Sequence, residues 1–91
     1  MGNRKVRYIG HTLKRRRMLM LLTQQELAFE SGLTTRSIHL LENNKQEPLL
    51  STICSLALAL DMDPSELMKE IERDIHHVWT LKQTSNGHEE S

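Results

Sequence analysis

The chain has 91 residues, of which 37% are hydrophobic, 3% aromatic and 26% charged, and its formal net charge is zero. That length fits one domain with a small core, and the scarcity of aromatics beside abundant Leu, Met, Glu, Gln, Lys and Arg excludes a typical β-sandwich or barrel in favour of helices. The neutral total hides an asymmetry: residues 1–48 carry nine Lys/Arg against four Asp/Glu, or +5, and residues 49–91 carry three against eight, or −5.

A basic half suits a polyanionic partner, although a dipolar protein without such a partner would show the same asymmetry. Cys54 is the only cysteine, so no disulfide framework or Cys-based zinc site can be built from it. Its apolar helical setting points to an inert thiol. Met1 is followed by polar and basic residues rather than the apolar run of a signal peptide. No segment is long enough to span a bilayer, and the expected location is cytoplasmic.

Residues 1–8, MGNRKVRY, show no periodicity and read as a flexible basic arm. A first helix is expected from residue 9 to about 20, with Ile9, Leu13 and Met20 inward. Lys14, Arg15, Arg16 and Arg17 lie toward its C-terminal half, where the helix dipole favours cations. Met18, Leu19, Met20, Leu21 and Leu22 are then apolar in a row. One helix face cannot bury all of them, so some must be exposed or meet a partner.

The second helix is expected over residues 23–31, opened by a capping box of Thr23 and Glu26, with Leu27 and Ala28 inward. Gly32 supplies the left-handed stop, and Leu33 is a buried plug in the turn. Thr34 caps a third helix that runs to about Glu42. Ile38 and Leu41 face inward there, with Thr35, Arg36, Ser37, His39, Leu40 and Asn43 outward. Asn43, Asn44 and Lys45 end it, because Asn tolerates the left-handed conformation.

Pro48 separates a fourth helix, from about 50 to 60, whose Ile53, Leu56, Ala57 and Leu60 have core spacing. Asp63 caps and Pro64 begins a fifth helix, with Glu66 three residues past the cap. It is expected to run to about Trp79, with Leu67, Met68, Ile71, Ile75, Val78 and Trp79 as its apolar residues. Residues 84–91, TSNGHEES, have a disordered composition. The folded domain is therefore set at 9–79 and the disordered tail at 80–91.

These residues carry a pattern: T-Q-x-E-L-A at 23–28, G-L-T at 32–34, S-I-x-x-L-E-N-x-K at 37–45, Pro48, L-A-L-A-L at 56–60 and S-E-L at 65–67. The chain thereby resembles the lambda-repressor-like, Cro/Xre-type helix-turn-helix transcriptional regulators over roughly residues 9–67. The resemblance implies an all-α, compact five-helix domain with the helix-turn-helix at helices 2 and 3, the third lying in the DNA major groove.

Thr35, Arg36 and Leu40 match the family's base-reading positions, with His39 beside them. Gln24, Thr34, Ser37, Asn43 and Lys45 match positions that contact the DNA backbone, and Arg17 and Glu42 match a structural ion pair. An arginine such as Arg36 can hold guanine O6 and N7, and an aliphatic such as Leu40 can meet a thymine methyl. The chain departs from the family at Leu21 (commonly Gly), Arg16 (commonly apolar), Leu49 (commonly a Ser cap), and Met18 and Leu19 (commonly polar).

Met68, Ile71, Ile75 and Val78 recur at heptad-like spacing and form a candidate dimer seam; the same stripe in a monomer would pack on its own domain. Adjacent His76 and His77 point to different helix faces with no third ligand nearby, so neither a metal nor a cofactor is expected. No nucleophile–base set or Gly-rich phosphate loop is present, so an enzyme is not expected either.

The expected function is regulation of transcription by specific binding to double-stranded DNA, as a dimer on a palindromic operator. The phage or plasmid repressors and the restriction–modification controllers are the natural types. One alternative is an antitoxin that binds a toxin protein through Met18, Leu19, Met20 and Leu21 or through the fifth helix, and represses its own operon. Another is an interaction domain that has lost DNA binding.

Overall fold

Five helices follow one another: α1 (Ile9–Leu19), α2 (Gln24–Ser31), α3 (Thr35–Glu42), α4 (Leu50–Ala59) and α5 (Pro64–Gly87). The structure, a computed structural model, describes residues 9–87, with side chains as far as His76. The expected arm at 1–8 and residues 88–91 lie outside the described residues.

Each helix packs mainly on two others. α1 meets α3 and α5, α2 meets α3 and α4, and α4 meets α5. The five helices thus close a ring around one core. Leu13, Leu27, Ile38, Leu41, Leu56 and Leu67 are fully buried at its centre. Ile9, Ala28, Ile53, Ala57, Leu60 and Ile71 complete it. Nearly every inward position expected from the spacing of apolar residues is found there, since helical periodicity places such residues on one stripe.

The helix ends share one device. Leu21, Gly32, Asn44 and Asp61 all have positive φ, of 60°, 75°, 57° and 61°. The residue after each donates its N–H to the carbonyl five positions back: Leu22 to Arg17 at 3.1 Å, Leu33 to Ala28 at 2.9 Å, Lys45 to Leu40 at 2.8 Å and Met62 to Ala57 at 2.8 Å. These are Schellman-type ends, which satisfy carbonyls that the finished helix leaves orphaned. Leu22, Leu33 and Met62 then tuck against the core.

Three expectations are corrected. Met20 is not part of an inward stripe; α1 ends at Leu19, and Met20 lies in the turn, 42% exposed. Leu33 is half-buried rather than fully buried. The fifth helix does not end near Trp79 but runs to Gly87, so residues 80–87, assigned to a disordered tail, are helical. No Pro or Gly interrupts the chain between Pro64 and Gly87, and Leu81, Lys82 and Gln83 are good helix formers.

Candidate nucleic-acid interface

The exposed side of α3 is the candidate interface. Ile38 and Leu41 are wholly buried, which turns Thr35, Arg36 and His39 to the outside and leaves Leu40 half-exposed. The entry to α3 is fixed by Thr34, whose Oγ1 accepts the Ser37 N–H at 3.0 Å and donates to Ser37 Oγ at 3.0 Å. At the exit, Asn43 Nδ2 donates to the His39 carbonyl at 2.7 Å and lies 3.4 Å from His39 Nδ1. Arg36 and Lys45 have exposed side chains with no ion-pair partner among the described residues.

Glu42 joins three helices. Its carboxylate accepts Arg17 Nε at 2.6 Å, Arg17 Nη2 at 3.1 Å and Gln24 Nε2 at 3.0 Å. Arg17 also donates through Nη1 to the Leu22 carbonyl at 2.7 Å. The two charged side chains are only 12% and 2% exposed. A bidentate pair of this kind fixes orientation as well as distance, so α1, α2 and α3 are locked at the end of the candidate recognition helix. The expected Arg17–Glu42 pair is therefore present, and Gln24 is drawn into it. An amide nitrogen carries two hydrogens, so Gln24 keeps one N–H beyond the bond to Glu42.

At the start of α2 the Thr23 capping box is complete: Glu26 N–H donates to Thr23 Oγ1 at 3.0 Å, and Thr23 N–H donates to Glu26 Oε1 at 2.8 Å. The first turn of α2, beside Gln24, is the positive end of the helix dipole, a setting that suits an anion.

The helix-turn-helix family matches residues 13–67, more than half of the chain. The chain belongs to the Cro/C1-type helix-turn-helix family. It is thus one of the DNA-binding transcription regulators of the Xre type. The restriction-modification controller protein C.AhdI from Aeromonas hydrophila is similar to it, with a TM-score of 0.63 and 37% identity over 65% of this chain and 86% of that one. The clp gene regulator ClgR from Corynebacterium glutamicum shares its fold, with a TM-score of 0.80 and 19% identity over 88% of this chain and 85% of that one. No curated protein matches the sequence.

In this family member two supports escaped sequence reading. Gly10 is buried at the α1–α3 crossing, and its N–H donates to Asn44 Oδ1 at 2.9 Å. A Cβ at Gly10 would collide with the Glu42 carbonyl and stand 2.9 Å from Asn44 Oδ1. A lone glycine near a helix start signals flexibility as readily as close approach, so the sequence pattern did not reveal it.

The second support is an ionic edge between α1 and α5. Arg15 binds Glu70 and, at 2.9 Å, Asp74; Arg16 Nε binds Glu70 Oε1 at 2.7 Å; Thr12, fully buried, donates to Asp74. Arg16, which stands where the family is commonly apolar, is thereby matched by a carboxylate. Burial pushes the Glu70 carboxyl up, but the hydrogen bonds from Arg15 and Arg16 outweigh it and hold it below the usual carboxylate value. Asp74 is likewise pushed up by burial and held low by Thr12 and Arg15. The bond to Glu70 is the main reason that the Arg15 guanidinium is held protonated above its ordinary value.

Of the candidate dimer seam, Met68 is 41% exposed, whereas Ile71 belongs to its own core and Ile75 packs against it. Ile71 is therefore corrected from a seam residue to a core residue. The Val78 side chain lies outside the described residues. Among the described residues no helix is long and apolar enough to cross a membrane.

Proposed function

We propose that this regulator binds a specific double-stranded DNA sequence by placing α3 in the major groove. The observation that carries the reading is the division of α3 into a buried face and an exposed face of Thr35, Arg36 and His39, on a helix clamped at its end by Arg17, Gln24 and Glu42. In this reading Arg36 reads a guanine through O6 and N7 and Leu40 meets a thymine methyl, while Thr35 and His39 reach neighbouring bases. Gln24, Thr34, Ser37, Asn43 and Lys45 hold the phosphates and so fix the register.

The protein acts as a dimer on a two-fold symmetric operator, in the manner of a restriction–modification controller or a phage or plasmid repressor. The 37% identity to the controller protein C.AhdI favours the first type. Exposed Leu49 at the entry to α4, Leu50 and Leu58 on that uncharged helix, and Met68 on α5 offer apolar side chains for the second copy. An uncharged face is self-complementary, as a two-fold interface requires.

Selection of bound sequences from a random DNA pool tests this. The expected result is an inverted repeat in which Arg36→Ala relaxes one base position per half-site and weakens specific binding by about 1–3 kcal/mol. Affinity should also fall steeply with rising salt. An Arg36→Ala variant that selects the same sequences with the same affinity would overturn the readout.

A further inference from the structure

We propose that the C-terminal end of α1 and the turn after it form a docking site for an amphipathic helix of a partner protein, one that presents apolar side chains with carboxylates beside them. Met18, Leu19, Met20 and Leu21 are 56%, 65%, 42% and 88% exposed. Four large apolar side chains in succession exceed the scattered exposure of an ordinary surface.

Leu21 supplies a separate observation. It holds φ at 60°, in the left-handed region, and buries almost nothing. A side chain at such a position costs about 1–2 kcal/mol that glycine avoids. The fold gains no packing from the side chain in return, which leaves Leu21 wholly available to a partner.

Beside this run is a groove of about 420 Å³ bordered by His11, Lys14, Arg15, Met18 and Leu19. Its described lining comes from α1 alone and combines the apolar Met18 and Leu19 with Lys14, Arg15 and His11. Arg15, Arg16 and Arg17 are each bound to carboxylates of this chain, whereas Lys14 has no such partner among the described residues. An apolar strip with one unmatched cation fits a helix laid into a groove with a carboxylate opposite Lys14. Methionine suits such a site because its unbranched side chain adapts to the incoming surface. An anionic membrane is the weaker fit, since lipid-binding surfaces cluster several unpaired Lys/Arg.

Two labelled peptides test the site on the full chain. One is a designed amphipathic helix with Leu on one face and Glu on the other; the second has Lys in place of every Glu. The Glu peptide should perturb the amide resonances of residues 14–21 and bind about tenfold more tightly than the Lys peptide. Lys14→Glu should reverse that preference. Leu19→Ser should weaken the Glu peptide about tenfold while leaving affinity for duplex DNA within about threefold. Leu21→Asn, which tolerates the same backbone conformation, serves as a second variant and should also weaken it.

Equal binding of the two peptides, or resonance changes elsewhere, would overturn the proposal. So would a mass that doubles with concentration and reverts in Leu19→Ser, which would make the occupant a second copy. Binding to anionic lipid vesicles that Leu19→Ser abolishes, without binding of the Glu peptide, would assign the run to a membrane and overturn it as well.

Discussion

The Glu42 carboxylate grips Arg17 with both oxygens, at 2.6 and 3.1 Å, while one of those oxygens also holds Gln24. Glu42 is the only charged side chain among the buried residues described. Removing one member of a buried pair leaves the other charged without compensation, at a cost of about 3–5 kcal/mol. Glu42→Ala should therefore destabilise the fold by about that much in urea titration. Pairing it with Arg17→Met should recover part of the loss, because both charges are then gone. If the double variant were as unstable as the sum of the two singles, the pair would not be the source of the effect.

The α1–α5 ionic edge makes stability depend on acid pH. The Glu70 and Asp74 carboxyls are held below their ordinary values in the fold. A carboxyl depressed on folding adds stability that is complete above its unfolded value, about 4, and is lost as pH falls through the folded value. Thermal midpoints should thus hold steady near neutrality and drop as pH falls below about 4. Glu70→Gln with Asp74→Asn should lower the neutral midpoint and flatten the acid limb. An acid limb unchanged by that pair of substitutions would place the titration elsewhere.

Gly10 allows α1 to approach the end of α3, and a Cβ there meets the Glu42 carbonyl. Gly10→Ala should cost about 1–3 kcal/mol by overpacking, despite alanine's better helix propensity. Because Gly10 N–H also binds Asn44 Oδ1 at 2.9 Å, the same displacement disturbs the end of α3. DNA affinity should fall along with the unfolding midpoint, and a neutral or stabilised Gly10→Ala would show that the crossing can open freely.

Leu21→Gly should act in the opposite sense. It removes left-handed strain at φ 60° from a side chain that is 88% exposed. Part of the gain is offset by the greater freedom of glycine in the unfolded chain. A net stabilisation of about 0.5–1 kcal/mol is expected, raising the midpoint by about 3–6 °C. Gly32, at φ 75°, is the mirror test: Gly32→Ala should destabilise by about 1 kcal/mol, although the added methyl meets nothing.

The buried half of this fold was legible in the sequence because it rests on periodicity. Ile38 and Leu41, or Leu56, Ala57 and Leu60, repeat at helical spacing and are buried as that spacing requires. The Thr23–Glu26 box was legible because its two residues are three apart, and the Arg17–Glu42 pair because its members match a family pattern. The partners of Thr12, Gly10 and Arg16 were not legible. They lie 62, 34 and 54 positions away, at Asp74, Asn44 and Glu70, and no local rule couples such positions. The helix ends were half legible. Gly32 announced itself, and Leu21, standing where the family commonly has Gly, had either to turn left-handed or to end the helix differently; Asp61 takes the same conformation with no such signal, and Leu22 and Met62 anchor behind the two. The end of α5 was not legible, because its polar last turns have the composition of a disordered tail, although composition alone does not break a helix.

The circular order of the helix contacts has a kinetic consequence. Most of its edges join helices that are near neighbours in the chain, but the edge from α1 to α5 joins residues 54 to 62 positions apart. The entropy of bringing chain ends together grows, slowly, with the length of the loop, so this clasp is expected to fasten late during folding and to release early. Brief unfastening would open the α1–α5 edge alone, while Arg17–Glu42 keeps α1 on α3 and α5 keeps its packing on α4. A chain ending at residue 67, where the family match stops, would keep its helix-turn-helix yet lose the clasp.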